Sequence, residues 1–149
     1  MKTSRKLSMI LLGIVFTFQY VVAQVPGNYK APKIDEGGKV TNSNGDHIGW
    51  VTKDGVIKDT KGNKVAALDS EGNLVDAATG KKMGKAEKNG NYSSYGTTTP
   101  DKGWKLGDAQ NGMCHVKDEK GNVVGQVHEN YKAQGACAIH CLTNQPKKK

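Results

Sequence analysis

The chain has 149 residues, of which 36% are hydrophobic and 24% charged, and its formal net charge is +8. Three of the basic residues stand in the first six positions and three more end the chain, so the body between them is near +2. A nucleic-acid-binding protein is expected to show a basic stripe with interleaved aromatic residues. The lysines here are scattered among acidic and amide residues at turns, so we expect no nucleic-acid partner.

Residues 1–23 are predicted to be a secretory signal peptide. After the basic start, an apolar run extends from Leu7 to Val22, and Ala23 ends a Val-Val-Ala cleavage site. The run is short for a bilayer-spanning helix, which needs about 20 apolar residues, so an uncleaved anchor is the weaker alternative. We expect a secreted or periplasmic protein with no membrane insertion after cleavage, and a lead-in over residues 24–36.

Residues 37–131 contain a glycine-anchored pattern that recurs five times. Each unit has a long arm, Gly-x-x-apolar-Gly/Ala, and a short arm that begins at another glycine. The long-arm apolar residues are Ile48, Val65, Met83, Leu106 and Val124, the small residues after them are Gly49, Ala66, Gly84, Gly107 and Gly125, and the short-arm glycines are Gly38, Gly55, Gly72, Gly90 and Gly112. Dipeptides such as Asn44-Gly45 and Asp54-Gly55 are strong hairpin signals. The pattern therefore predicts five hairpin-like units.

These units predict an all-β fold in a pseudo-five-fold radial arrangement, a small closed barrel or flower. A lone hairpin is barely stable in water, and closure around an axis supplies each unit with neighbours. The small residues would crowd at that axis, with the five long-arm apolar residues meeting in one ring; an open meander is the alternative. Residues 92–102, rich in Ser, Thr and Gly, are expected to be an insertion loop. Residues 132–149 are expected to be a closing segment with a basic tail.

The five repeats, the signal peptide and the ending, from Val127 to Lys132 and from Ala136 to Cys141, resemble the five-fold β-flower proteins. These are small exported proteins found mainly in Bacteroidota, with no assigned biochemical activity. The resemblance covers nearly all of the chain after the signal. It implies a radial all-β fold, and it carries over no catalytic residue.

The three cysteines are an odd set. In an exported protein the default is one disulfide and one remaining thiol. We favour a bridge from Cys114 to Cys137 or Cys141 over a local bridge between the last two, or none, because a longer loop gains more from closure. The remaining thiol is available to link two chains in a dimer.

A metal site is a further interpretation of the same region. Thiols and imidazoles are ligands that suit zinc or copper, but their spacing matches no zinc signature, and an oxidising export route competes for the thiols. We therefore predict no metal and no other cofactor. The candidate ligands for the alternative, a metal-binding or redox protein, are Cys114, His115, His128, Cys137, His140 and Cys141.

Catalytic patterns are weak throughout the chain. No oriented nucleophile and base can be assigned to the Cys and His residues, and the acidic residues between Asp54 and Asp76 sit at or beside turns, without a calcium-loop pattern. We therefore expect a protein that is not an enzyme.

Aromatic residues are the candidates for a ligand surface. Exposed rings on a β-scaffold commonly stack on sugars or hold peptides, although they can also cap a small core. The candidates are Trp50, Tyr92, Tyr95 and Trp104. The sequence favours an exported, non-catalytic structural or binding module for an unknown protein or glycan of the cell envelope, with a carbohydrate- or peptide-binding protein as one alternative.

Overall fold

The computed structural model describes residues 30–95 and 103–144. These residues form eleven β-strands, one 3₁₀ turn (Glu129–Tyr131) and one α-helix, α1 (Gly135–Thr143). The strands are β1 (Lys33–Ile34), β2 (Lys39–Thr41), β3 (His47–Val51), β4 (Val56–Lys58), β5 (Lys64–Leu68), β6 (Asn73–Asp76), β7 (Lys82–Ala86), β8 (Tyr92–Ser94), β9 (Lys105–Leu106), β10 (Met113–Lys117) and β11 (Val123–His128). The prediction of an all-β domain is confirmed. Within the described ranges, no helix is long and apolar enough to cross a membrane.

The strands form one sheet that curls into a nearly closed barrel. Its order is β8-β7-β6-β5-β4-β3-β2-β1-β11-β10-β9, and neighbours are antiparallel except for the parallel β1–β11 pair. The two edges meet where Tyr92 and Trp104 exchange backbone hydrogen bonds of 2.9 and 2.7 Å. At this seam, where the two edges of the sheet meet, the bridge supplies hydrogen-bond partners for backbone groups that an open edge would leave unpaired.

The five-fold arrangement is not confirmed. The fourth unit departs from the pattern, because Gly107 is exposed and lies outside any strand. The parallel strand β1 comes from the predicted lead-in and adds a member that no hairpin supplies. The barrel is thus a sheet of eleven strands in the described ranges rather than a ring of five equal hairpins.

The predicted hairpin turns are present, and turns in the long arms and in the short arms share one hydrogen-bonding pattern. In the turn at Asp59, the backbone carbonyl accepts from the Gly62 N–H at 3.0 Å, and Oδ1 accepts from the N–H groups of Lys61 and Asn63 at 2.9 Å. Gly62 has φ +86°, a backbone conformation that residues other than glycine adopt only at a cost in free energy. The carbonyl-to-glycine bond recurs in the turns that begin at Asp35, Asn42, Thr52, Asp69, Glu87 and Asp118.

Four of the five long-arm apolar residues, all but Leu106, lie at β-bulges. In the β10–β11 hairpin, Val116 lies opposite Gly125. The next residue of β10, Lys117, lies opposite Val123, which leaves Val124 as the extra residue. Equivalent register shifts place Ile48, Val65 and Met83 in the same position. These residues are half-buried and pack against the core.

The centre of the barrel is occupied by α1. Its residues from Gly135 to Ile139 are all buried. It contacts β1, β3, β7 and β11, which stand at different positions around the barrel wall. A helix that is apolar all round belongs in a core. A Cβ added at Gly125 would lie 2.7 Å from Ile139 Cδ1, and one added at Gly49 would lie 2.8 Å from Leu142 Cδ1.

The predicted apolar ring is therefore corrected. The small long-arm residues of four units are buried and allow a close approach, as predicted. For Gly125 the neighbour that approaches is Ile139 of the helix, and for Gly49 it is both Leu142 of the helix and the Lys58 carbonyl of β4. Within the predicted closing segment, residues 132–149, the described part folds as this internal helix over Gly135–Thr143.

Turns alternate between the two ends of the barrel, and the ends differ. At the closed end, defined by the turns of Gly38, Gly55, Gly72 and Gly90, the first three glycine carbonyls accept N–H groups from Val51, Leu68 and Ala86 at 2.8 to 3.0 Å. Gln134, just before α1, donates Nε2 to the carbonyls of Thr52 and Lys53 at 3.2 Å. At the open end, defined by the turns of Gly45, Gly62, Gly80 and Gly121, an added Cβ would meet nothing within 4 Å.

Candidate ligand-binding cavity

A cavity of about 320 Å³ lies at the open end, between strands β5 to β8 and the last turns of α1. Its apolar wall is formed by Val65, Leu74 and Met83, two of which are bulge residues. Bulges bend a strand and increase its twist, and two of them lie in the wall of this cavity. The volume is at the lower limit of ligand pockets, about 300 to 1,000 Å³.

Tyr92 lies on this wall with its side chain inside the barrel. It is 2% exposed, and a Cβ at Gly84 on the neighbouring strand would meet its hydroxyl. The hydroxyl has no hydrogen-bond partner among the described residues. Burial raises the pKa of Tyr92 well above its ordinary value, and Cys137 adds to the rise. Ser94 is close enough to lower this pKa slightly, but not in hydrogen-bonding geometry. The phenol is thus protonated at neutral pH and available as a buried donor.

His140 lies between two aromatic rings at the edge of the cavity. Its ring centroid is 5.1 Å from that of Tyr92 and 5.2 Å from that of Trp104, which it meets edge-on. The seam of the barrel sets this arrangement, since Tyr92 and Trp104 are bridged through their backbones. The rings hold the imidazole beside the ligand space.

The rim of the cavity is polar. The Asp76 Oδ1 accepts hydrogen bonds from the Thr79 N–H at 2.8 Å and the Thr79 hydroxyl at 2.9 Å, and these bonds hold the pKa of Asp76 below its usual value. Its carboxylate is therefore engaged by its own turn. Lys81 is exposed on the rim, and Tyr95 is 45% exposed, with its hydroxyl donating to Asn73 Oδ1 at 3.3 Å.

The structure separates the four aromatic residues predicted to form a ligand surface. Tyr92 and Tyr95 line the cavity, Trp104 lies behind His140, and Trp50 lies on the outer face of β3. The placement of Tyr92 in a surface loop is wrong, because it belongs to β8 and is buried. The remainder of the predicted insertion, residues 96–102, lies outside the described residues.

The predicted Cys and His cluster is divided by the barrel wall. Cys137, His140 and Cys141 lie on α1, inside the barrel. His115 and His128 are half-buried and alternate along their strands with the inward residues Cys114 and Val127, so they lie on the outer face. Within residues 30–95 and 103–144, no three His, Cys, Asp or Glu side chains form a group that would hold a metal ion.

The predicted disulfide is not formed in the structure, in which none of the three cysteines is disulfide-bonded. The Cys137 thiol donates to the Gln134 carbonyl at 2.9 Å, and burial raises its pKa, with Cys141 adding to the effect. Cys114 lies in a different environment, where burial raises its pKa and Lys132 partly opposes the rise. Cys137 belongs to the main cluster of buried core residues, whereas Cys114 is buried outside that cluster.

No family model, curated protein or solved structure matches the chain. The resemblance to the β-flower proteins thus stays a prediction that rests on the repeats and the ending described above.

Proposed function

We propose that the protein is an exported, non-catalytic binding module that takes a small ligand into the cavity at its open end. Export rests on the predicted signal peptide. The observation that carries the binding role is that Tyr92, one of the residues lining that cavity, has a buried hydroxyl with no hydrogen-bond partner among the described residues.

A buried hydroxyl without a partner destabilises a protein by about 1 to 3 kcal/mol. A ligand oxygen that accepts from Tyr92 would remove this penalty, so the free protein favours ligands that present such an acceptor. Because the raised pKa keeps the phenol protonated, the acceptor is a hydroxyl, ether, carbonyl or carboxylate oxygen.

The walls and the rim narrow the class of ligand. Val65, Leu74 and Met83 favour a compact apolar surface, and the volume of about 320 Å³ suits one sugar unit or one peptide side chain. The half-exposed ring of Tyr95 offers a stacking face at the mouth. We propose a carbohydrate end group as the ligand, with a peptide side chain as the other class of the same size.

The chemistry of the neighbouring groups supports a non-catalytic role. The pKa of the Cys137 thiol is raised by burial, which keeps it from acting as a thiolate nucleophile near neutral pH. Asp76, the carboxylate on the rim, is held by the N–H and hydroxyl groups of its own turn. Binding without turnover is the function that these contacts favour.

The test is a binding screen of mono- and disaccharides and short peptides, followed by NMR. Compounds that bind should shift the methyl signals of Val65, Leu74 and Met83. Tyr92→Phe should weaken the binding of these compounds about tenfold, as expected for the loss of one neutral hydrogen bond. Tyr95→Phe, which removes a hydroxyl from the exposed ring, is the matched control and should change affinity less. Equal affinity of wild type and Tyr92→Phe would contradict the proposal.

A further inference from the structure

The outer face of the first five strands has one sign of charge. Strands β1 to β5 contain no Asp or Glu. Their basic residues, all exposed or half-buried, are Lys33, Lys39, His47, Lys58 and Lys64. These residues are far apart in sequence and come together through the strand order.

The register places a tryptophan between two of these lysines. Lys39 lies opposite Trp50 on one side, and Lys58 lies opposite Trp50 on the other. Adjacent strands are about 4.8 Å apart, so the two lysines flank the ring across roughly 10 Å of sheet. Trp50 is 38% exposed, and Lys64 extends the row beyond Lys58.

The lysines of this row, Lys39, Lys58 and Lys64, are not used in ion pairs. Within the described part of the chain the ion pair is that of Lys82 with Glu71, 3.6 Å apart, on other strands. The nearest carboxylates belong to turns. Asp59 accepts from the N–H groups of its own turn, and the pKa of Asp54 is lowered chiefly by the Thr52 side chain, with Lys58 and Lys64 adding to the effect.

We infer that the row Lys39–Trp50–Lys58–Lys64 is a binding surface for an acidic polysaccharide. A sugar ring would stack on the exposed face of Trp50, and carboxylate groups of the neighbouring sugars would pair with the lysines on either side. Charge complementarity favours an anionic polymer, which repeats its charged groups along one line. A single-stranded nucleic acid is disfavoured because its successive bases stack on several aromatic rings, and this row has one, Trp50. An anionic membrane is disfavoured because Trp50 has polar and charged neighbours in the row rather than an apolar cluster.

This surface does not depend on the cavity. It lies on the outside of β2 to β5, while Tyr92 lies inside the barrel. The two sites can therefore be tested separately.

The experiment measures binding of the folded protein to polygalacturonate, with dextran as the neutral polymer. Lys39→Gln with Lys58→Gln should weaken binding about tenfold, and so should Trp50→Ala, while Trp50→Phe should retain most of it. The matched control is Lys85→Gln with Lys117→Gln, which removes two exposed lysines from β7 and β10. It should change affinity less than about twofold.

Three results would overturn the inference. The first is an equal loss of polygalacturonate affinity in the row variants and in the control. The second is binding to dextran as tight as binding to polygalacturonate. The third is binding to phosphatidylglycerol vesicles with no binding to polygalacturonate. The NMR shifts of Val65, Leu74 and Met83 report on the cavity, and polygalacturonate binding by the row variants reports on this surface, so failure of the cavity proposal and failure of this one are distinguishable. Unfolding midpoints close to that of the wild type show that each variant is folded.

Discussion

The two ends of the barrel are built from the same turn and pack differently. At the closed end, glycine carbonyls accept from the next strand, and a Cβ at Gly38 would meet the Val51 carbonyl. At the open end, Gly45 has the same turn and a similar φ of +89°, with nothing within 4 Å of an added Cβ. The difference lies in what surrounds the turns.

Bulges account for much of this difference. In the described pairings, the hairpins with register shifts are those whose turns lie at the open end. Each bulge bends its strand and increases its twist near that end. The end of α1 and the bulge residues Val65 and Met83 then enclose a cavity rather than a packed layer. One end of the barrel is thus closely packed, and the other holds the candidate cavity.

The largest expected difference is between two glycine substitutions. Gly38→Ala should lower the free energy of unfolding by about 4 kcal/mol, because it combines a positive φ with a backbone clash. Gly45→Ala, with the positive φ alone, should cost only about 1 kcal/mol. Urea unfolding measures both. Equal costs would show that the closed end is no tighter than the open end.

The second comparison concerns the helix. Ile139 is 0% exposed and packs against Gly125, so Ile139→Ala should cost about 3 kcal/mol by leaving a cavity. Val65→Ala, at a half-buried bulge beside the existing cavity, should cost only about 1 kcal/mol. A cost for Ile139→Ala as low as that for Val65→Ala would mean that α1 does not fill the barrel.

Tyr92→Phe should raise stability. Removing a buried hydroxyl that has no partner should increase the free energy of unfolding by about 1 kcal/mol. Tyr95→Phe is the control, since its hydroxyl donates to Asn73 and lies at the exposed rim. A Tyr92→Phe variant less stable than the wild type would show that the hydroxyl is satisfied in the free protein.

The smallest effect is a pH dependence of the turns. The pKa values of Asp59, Asp69 and Asp118 are lowered, chiefly by the side chain of the asparagine four residues later. Because the unfolded pKa is higher, about 3.9, these carboxylates stabilise the fold above that pH. The stabilisation is lost as the pH falls through the folded pKa.

Acid unfolding of Asp59→Asn tests this dependence. The variant should lose stability less steeply below about pH 4. Asp108→Asn, at an exposed position outside the strands, is the matched control and should follow the wild type. Identical acid-unfolding profiles for Asp59→Asn and the wild type would show that the turn carboxylates do not cause the pH dependence of stability.

The turns were predictable because their chemistry is local. The side chain of Asp59 and the φ of Gly62 act within five residues, and the sequence shows both. The internal helix was not predictable from periodicity, since Gly135–Thr143 is short and buried on nearly all sides, so it has no polar face to mark the helical repeat.

The two candidate sites depend on contacts that sequence spacing does not show. Val65 and His140 line one cavity although 75 residues separate them. Lys39 and Lys58 flank Trp50 only because of strand register, and as a sequence they read as scattered lysines. Tyr92 was placed in a loop because a Ser- and Thr-rich stretch follows it, although its own side chain points inward.

Native-state hydrogen exchange tests most directly whether the sheet wraps around α1. The Ala138 N–H, bonded to the Gln134 carbonyl at 3.0 Å, should exchange only through global unfolding, with the same free energy as the N–H of Ile57 in the barrel wall. If Ala138 exchanges several kcal/mol more easily than Ile57, the helix leaves the barrel without unfolding it, and the account of a helix-filled barrel is contradicted.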